Sequence, residues 1–305
     1  MKHLGRILTA MITPFDASGA VNVAEAQRIA QFLVDRGNDG VVVAGSTGEG
    51  NALETDEKLS LFREIKRALG SSGSVVAGTG GNNTRQSIEL TKAAEQCGVD
   101  AVLLTVPAYV KPTQDGMLAH FGAILEATPL PAIIYNIPGR TAANMLPETF
   151  TELARRYANV AGIKESTSDI NQFTAILRGR PREDVTFWCG DDYMFLPSLA
   201  IGGYGVISVD GHLASREIRA MAEAFDGGDI DTAARIHRDI WPLDRALFSI
   251  TNPIPVKWAM GTYGFAVGPC RSPLSEMPDA LKATLEPLIA PYRPELRMTA
   301  VSAKR

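Results

Sequence analysis

The chain has 305 residues, 45% of them hydrophobic and 21% charged, a balance that fits a globular protein with a large core and excludes a disordered or fibrous class. Its 30 Lys and Arg against 34 Asp and Glu leave a formal charge of −4, and the basic residues are scattered, which argues against nucleic acid or an anionic membrane as partner. Cys97, Cys189 and Cys270 are too far apart for a disulfide framework or a zinc motif, and no apolar run approaches the roughly 18 residues of a membrane span, so a reducing, cytoplasmic setting is expected.

Met1-Lys2-His3-Leu4-Gly5-Arg6 leads straight into a strand-like run, Ile7-Ile12, rather than into a signal-peptide apolar region. A helical pattern follows over Val23-Arg36, with Ile29, Phe32 and Leu33 on one face. The second run, Gly40-Ala44, ends in Gly45-Ser46-Thr47-Gly48-Glu49. Two hydroxyls between glycines let backbone N–H groups approach and hold a carboxylate, although alone the segment reads more simply as a tight turn. Asp56-Leu69 is again helical, with Leu59, Phe62, Ile65 and Leu69 on one face.

After the third run, Ser74-Ala77, comes Gly78-Thr79-Gly80-Gly81-Asn82-Asn83, in which Asn83 stands where a dinucleotide-binding loop needs its third glycine. Thr84-Cys97 is expected to be a helix with Thr84 as its N-cap. The fourth run, Ala101-Val106, leads into Pro107-Ala108-Tyr109-Val110-Lys111-Pro112, where two prolines stiffen the loop around Tyr109; a buried packing tyrosine is the ordinary alternative. The fifth, Ala132-Tyr135, continues as Asn136-Ile137-Pro138-Gly139-Arg140-Thr141. A tyrosine at the strand end can pass protons, and an arginine in the next turn can grip a carboxylate through two parallel bonds.

The sixth run, Val160-Lys164, closes on a lysine. At the carboxyl end of a core strand, desolvation disfavours the ammonium and moves it toward a usable amine nucleophile; the bland reading is a lysine that snorkels to solvent. Val185-Cys189 is the seventh run, followed by a helical stretch Asp191-Ile201 whose expected boundaries are Asp191-Asp192 and Gly202-Gly203. Val206-Val209 is the eighth. From Asp229 to about Ile289 the pattern is helical with no further strand, and the tail from Pro291 is expected to be poorly ordered. Eight nearly continuous apolar runs alternating with helices predict a (β/α)8 TIM barrel over 1–228 and a helical C-terminal domain and tail over 229–305.

Catalytic groups of such barrels cluster where strands end, and the ends here offer an amine, a tyrosine, a hydroxyl pair and an arginine, the parts for imine chemistry on a 2-oxo acid. Gly45-Ser46-Thr47-Gly48-Glu49, Tyr135-Asn136-Ile137-Pro138-Gly139-Arg140-Thr141, Gly162-Ile163-Lys164-Glu165 and Asn252-Pro253-Ile254-Pro255-Val256-Lys257-Trp258 resemble, in order, the motifs of the dihydrodipicolinate synthase family, within the dihydrodipicolinate synthase / N-acetylneuraminate lyase superfamily. The likeness runs from about Gly5 to about Tyr292 and implies condensation of pyruvate with L-aspartate 4-semialdehyde, a step of lysine and diaminopimelate biosynthesis. It makes Lys164 the Schiff-base lysine and Tyr135 the proton donor and acceptor. Ser46 and Tyr109 become relay residues, the latter acting across a tight-dimer interface. Thr47 and the backbone carbonyl of Ile207 would contact pyruvate, and Arg140 the carboxylate of the semialdehyde. A homotetramer built from two tight dimers is implied, with no metal or organic cofactor.

The chain departs from the pattern in places. Ser46 replaces a threonine, a form also seen in sugar-oxo-acid lyases of the superfamily, and Ser208-Val209-Asp210-Gly211-His212 differs from the expected Ser-Val-Thr-Ala-Asn, leaving His212 with a structural or solvent role or a part in substrate selection. Ala108 and Gln86 stand where family members inhibited by lysine place a tyrosine and a glutamate at their effector site, and Thr55 and Lys58 where histidines are common. Two other readings compete. A sibling aldolase on a sugar-derived 2-oxo acid would not be expected to need Arg140, and a non-catalytic oxo-acid-binding barrel would be expected to lack one of the catalytic groups.

Overall fold

A computed structural model describes residues 4–293. The eight runs form β1 (Ile7–Ala10), β2 (Gly40–Val43), β3 (Ser74–Gly78), β4 (Ala101–Thr105), β5 (Ala132–Asn136), β6 (Val160–Glu165), β7 (Thr186–Cys189) and β8 (Gly205–Ser208). All neighbours pair in parallel in chain order, and β8 returns to β1, closing the barrel. Each strand is followed by a helix that covers its outer face, among them Val23–Asp35, Thr55–Leu69, Thr84–Gln96 and Ser215–Asp226. Alternation sorts the side chains into two cores. Ile7, Val41, Val43, Ile134 and Phe187 face the helices, whereas Leu8, Val42, Ile133, Tyr135, Trp188 and Ile207 fill the barrel.

After β8 the described residues contain only helices and turns: Ile230–Leu247, Ile254–Thr262 and Asp279–Ile289. The first of these packs against Ser215–Asp226 and reaches the turn after β7. Of the expected tail, Pro291–Arg293 are described, Pro291 and Tyr292 in the 3-10 turn Ala290–Tyr292; the rest, like Met1-Lys2-His3, lies outside the described residues. No described helix is long and apolar enough to cross a membrane.

Three local expectations are corrected. Asn83, not Thr84, caps its helix by accepting from the Gln86 N–H, and Thr84 is the first helical residue, its hydroxyl 2.8 Å from His120 Nδ1. The stretch after β7 divides into the turn Asp192–Met194 and the short helix Phe195–Ala200, and Asp192 spends its carboxylate on the Val209 and Asp210 N–H groups instead of capping. The first strand stops at Ala10 because the Ile12 N–H donates to His212 Nε2 at 3.1 Å rather than to a strand. With its other ring nitrogen 2.8 Å from the Val209 carbonyl, His212 is a buried structural pin: Nδ1–H donates, Nε2 accepts, and burial pushes its pKa down to about 4. A solvent role is thereby excluded.

Candidate active site

Strict alternation along β6 would turn Lys164 the wrong way. Ala161 faces the barrel interior, so a period of two would point Ile163 inward and Lys164 out. The β5 ladder instead pairs Ala132 with Val160 and Ile133 with Gly162, an irregularity that passes over Ala161 and reverses the parity. Ile163 then packs outward and Lys164 enters the barrel beside Tyr135, its register partner on β5. Only glycine fits at the irregularity: a Cβ on Gly162 would lie 2.0 Å from the Thr186 carbonyl oxygen on β7. Gly190 does similar service opposite, where a Cβ would come within 3.0 Å of the Lys164 side chain.

Lys164 is 5% exposed, and its ammonium sits 4.3 Å from the Tyr135 ring centroid. Burial lowers its pKa to about 8, opposed by the nearby carboxylates of Asp191 and Asp192. Burial likewise raises the pKa of Tyr135, keeping its phenol protonated and able to give a proton. The adjacent Glu165, pushed up to about 7 by burial, accepts from Asn136 and Gln172 side chains and the Thr167 N–H, which fixes the strand end on its outer side.

The Gly45–Glu49 turn is held from behind. Glu49 adopts a left-handed φ of 54° and is locked by a buried ion pair with Lys257 at 2.6 Å and by the Arg271 N–H at 2.8 Å. Lys257 is thereby occupied, also lying 4.1 Å over the Phe15 ring, and is no rival nucleophile. Thr13 Oγ1 donates to the Gly48 carbonyl, and Asn252 Nδ2 to Thr47 Oγ1 at 2.8 Å, so the turn presents Thr47 buried and Ser46 exposed. Arg140 rides on the one-turn helix Pro138–Thr141 and donates to the Asn252 carbonyl at 3.3 Å.

Lys164, Tyr135, Ser46, Thr47 and Arg140 meet around one small cavity of about 30 Å³ at the carboxyl ends of the strands. Above it opens a vestibule of about 390 Å³, and Ser46, Ile137, Arg140 and Asn252 line both. Two expected residues are not on these walls. Ile207 is wholly buried in the barrel interior, and Val209 lines the small cavity instead. Tyr109 is 90% exposed, so the packing alternative fails for it; its backbone is held at a left-handed φ of 68°, with its N–H 3.3 Å from the Thr141 carbonyl and Asn82 accepting from Ala108 N–H.

Asp191, Phe248 and Asn252 also line the small cavity, and none was assigned a role from sequence. Asp191 accepts from Ser168 Oγ at 2.7 Å, a bond that holds it beside Lys164. The strand-end rule applied to β7 could have found it; Phe248 and Asn252 lie in the turn between the helices Ile230–Leu247 and Ile254–Thr262, where no strand ends, and only the family motif that Asn252 opens pointed there. An amine lowered toward neutrality, a protonated phenol and an arginine above them can form an imine on a carbonyl, move its protons and hold an anionic second molecule.

The model of the Dihydrodipicolinate synthetase family matches residues 3–291. The 4-hydroxy-tetrahydrodipicolinate synthase of Moorella thermoacetica is 50% identical over 270 residues, 88% of this chain and 92% of that protein, and that of Dehalococcoides mccartyi strain 195 is 45% identical over 296 residues, 97% and 99% of the two chains. Among solved structures, dihydrodipicolinate synthase from Bacillus anthracis superposes with a TM-score of 0.92 at 38% identity, covering 95% of this chain and 98% of that one. The enzyme from Cyanidioschyzon merolae with lysine bound also gives 0.92, at 42% identity over 93% and 97%.

Proposed function

The chain belongs to the dihydrodipicolinate synthetase family, and from that premise we propose that it condenses pyruvate with L-aspartate 4-semialdehyde to 4-hydroxy-tetrahydrodipicolinate through an imine on Lys164. The observation that carries the residue assignment is the β6 irregularity, which aims a buried lysine of lowered pKa into the cavity beside Tyr135. The neutral amine attacks the C2 carbonyl of pyruvate and water leaves. Loss of a methyl proton gives the enamine, whose carbon attacks the aldehyde. The amino group of the second substrate then adds to C2, and the Lys164 amine departs as the ring closes. Tyr135 and Ser46 move protons between these steps, Thr47 and the backbone at Ile207 hold the pyruvate, and Arg140, between the small cavity and the vestibule, holds the semialdehyde carboxylate.

An exposed Tyr109 beside the exposed Val110 suits docking onto a second copy of the chain, where Tyr109 would complete the neighbour's relay in a dimer of dimers. The test of the whole reading is a coupled assay with pyruvate and aspartate semialdehyde beside a panel of sugar-derived 2-oxo acids. Turnover is expected with the semialdehyde; turnover confined to the sugar acids would overturn it. Arg140→Ala should raise KM for the semialdehyde by roughly 10- to 100-fold, the worth of a charge-assisted bond, and leave KM for pyruvate nearly unchanged.

Thr55, Lys58 and Gln86 line one further cavity of about 530 Å³ between the second and third helices, with Lys58 half-buried and its pKa lowered by burial. Gln86 offers no carboxylate to the ammonium of a bound lysine. Glu89 also lines this cavity, but it lies one turn further along, is exposed and faces Arg85 at 4.0 Å. The enzyme is therefore expected to be insensitive to L-lysine at physiological concentration. Half-maximal inhibition below about 1 mM, a binding energy of roughly 4 kcal/mol, would refute this.

A further inference from the structure

Beneath the site, three buried carboxylates from distant parts of the chain converge. Asp192 stands in the turn after β7, Asp210 in the turn Asp210–His212 after β8, and Asp244 near the end of the helix Ile230–Leu247. Their exposures are 6%, 0% and 2%, and one oxygen of each lies within 4.8 Å of the others. Asp192 is satisfied by the Ser208 hydroxyl and two backbone N–H groups. Asp210 has no hydrogen-bond donor at either carboxylate oxygen, and Asp244 has none at Oδ1. None of the three forms an ion pair among the described residues; Lys164 and Arg245 act on the cluster only at longer range.

The chain holds Asp210 in this position rigidly. Its carbonyl accepts from Leu213 and Ala214 N–H, His212 is pinned through both ring nitrogens, and a Cβ on Gly211 would lie 2.3 Å from Thr9 Oγ1. A carboxylate fixed in the interior without a donor is among the most unfavourable arrangements a fold can retain, unless it takes up a proton or a cation shares the space; burial and the neighbouring Asp192 and Asp244 push the pKa of Asp210 well above the carboxylate range, and a bound cation would relieve the same repulsion. We infer that Asp192, Asp210 and Asp244 form an internal binding site for one hard divalent cation, of the magnesium or calcium class, which joins the turns after β7 and β8 to the C-terminal helices. Oxygen-only donors of formal charge −3 select hard ions, and the absence of a nitrogen or thiolate ligand in the cluster disfavours zinc. The ion takes no part in the imine chemistry; it ties the barrel to the helix that carries Phe248 at its end.

The test uses the full chain as purified. After exhaustive dialysis in metal-free buffer, elemental analysis is expected to find close to one magnesium or calcium per chain. Stripping with a chelator should lower Tm by about 3 °C or more, and adding back CaCl2 or MgCl2 should restore it. Asp210→Asn should lose both the bound ion and the response of Tm to it, with Asp244→Asn as the second variant should the first fail to fold. Absence of retained metal together with a Tm indifferent to either salt up to about 10 mM would overturn the inference. So would an Asp210→Asn protein as stable as its parent with the same ion response, which would place the ion outside this cluster, whereas carboxyl groups that share a proton instead would leave both proteins indifferent to the salts.

Discussion

Pyruvate followed by borohydride is expected to add one covalent adduct per chain, located by peptide mapping at Lys164. Imine formation needs the neutral amine. At a pKa of about 8 roughly a tenth of the molecules carry it at pH 7, whereas an ordinary lysine is neutral in fewer than about one in a thousand. The rate of adduct formation should therefore rise with pH through the range around 8 and level off above it, because deprotonation is complete there. Lys164→Ala should lower turnover by at least about 10³-fold, a loss of roughly 4 kcal/mol of transition-state stabilisation, while the buried barrel core of Leu8, Val42 and Ile133 holds the fold. An adduct on Lys257, already paired with Glu49, or on Lys111 would remove Lys164 from the mechanism.

Tyr109→Phe should lower turnover by roughly 10²-fold or more, the usual scale for general acid–base assistance, while borohydride trapping at Lys164 persists. The side chain is exposed in the isolated chain and absent from the walls of its own cavity, so its effect is expected to come from a second copy. Mixing Tyr109→Phe chains with Lys164→Ala chains should restore activity, since half of the sites in a mixed dimer would pair an intact lysine with an intact tyrosine. Failure of the mixture to recover, with dimer exchange verified by mass spectrometry, would assign Tyr109 a role within its own chain or none.

The chain's own pattern of apolar runs determined the barrel, because strands buried on both faces must be nearly continuous in Val, Ile and Leu, and all eight stand where those runs lie. It also determined the chemical inventory at the strand ends: an amine, a phenol, hydroxyls and an arginine meet because parallel strands all deliver their carboxyl ends to one face. Element ends were less legible. Side chains from elsewhere take over the backbone groups there, as His212 does for Ile12 and Asp192 for Val209. Tertiary structure alone decided which way Lys164 points, since a period of two along β6 would turn it outward and only the irregularity at Gly162, squeezed against Thr186, turns it in. It alone also brought Asp244 beside Asp192 and Asp210 across the fold, and no spacing in a sequence encodes a convergence made by helix packing.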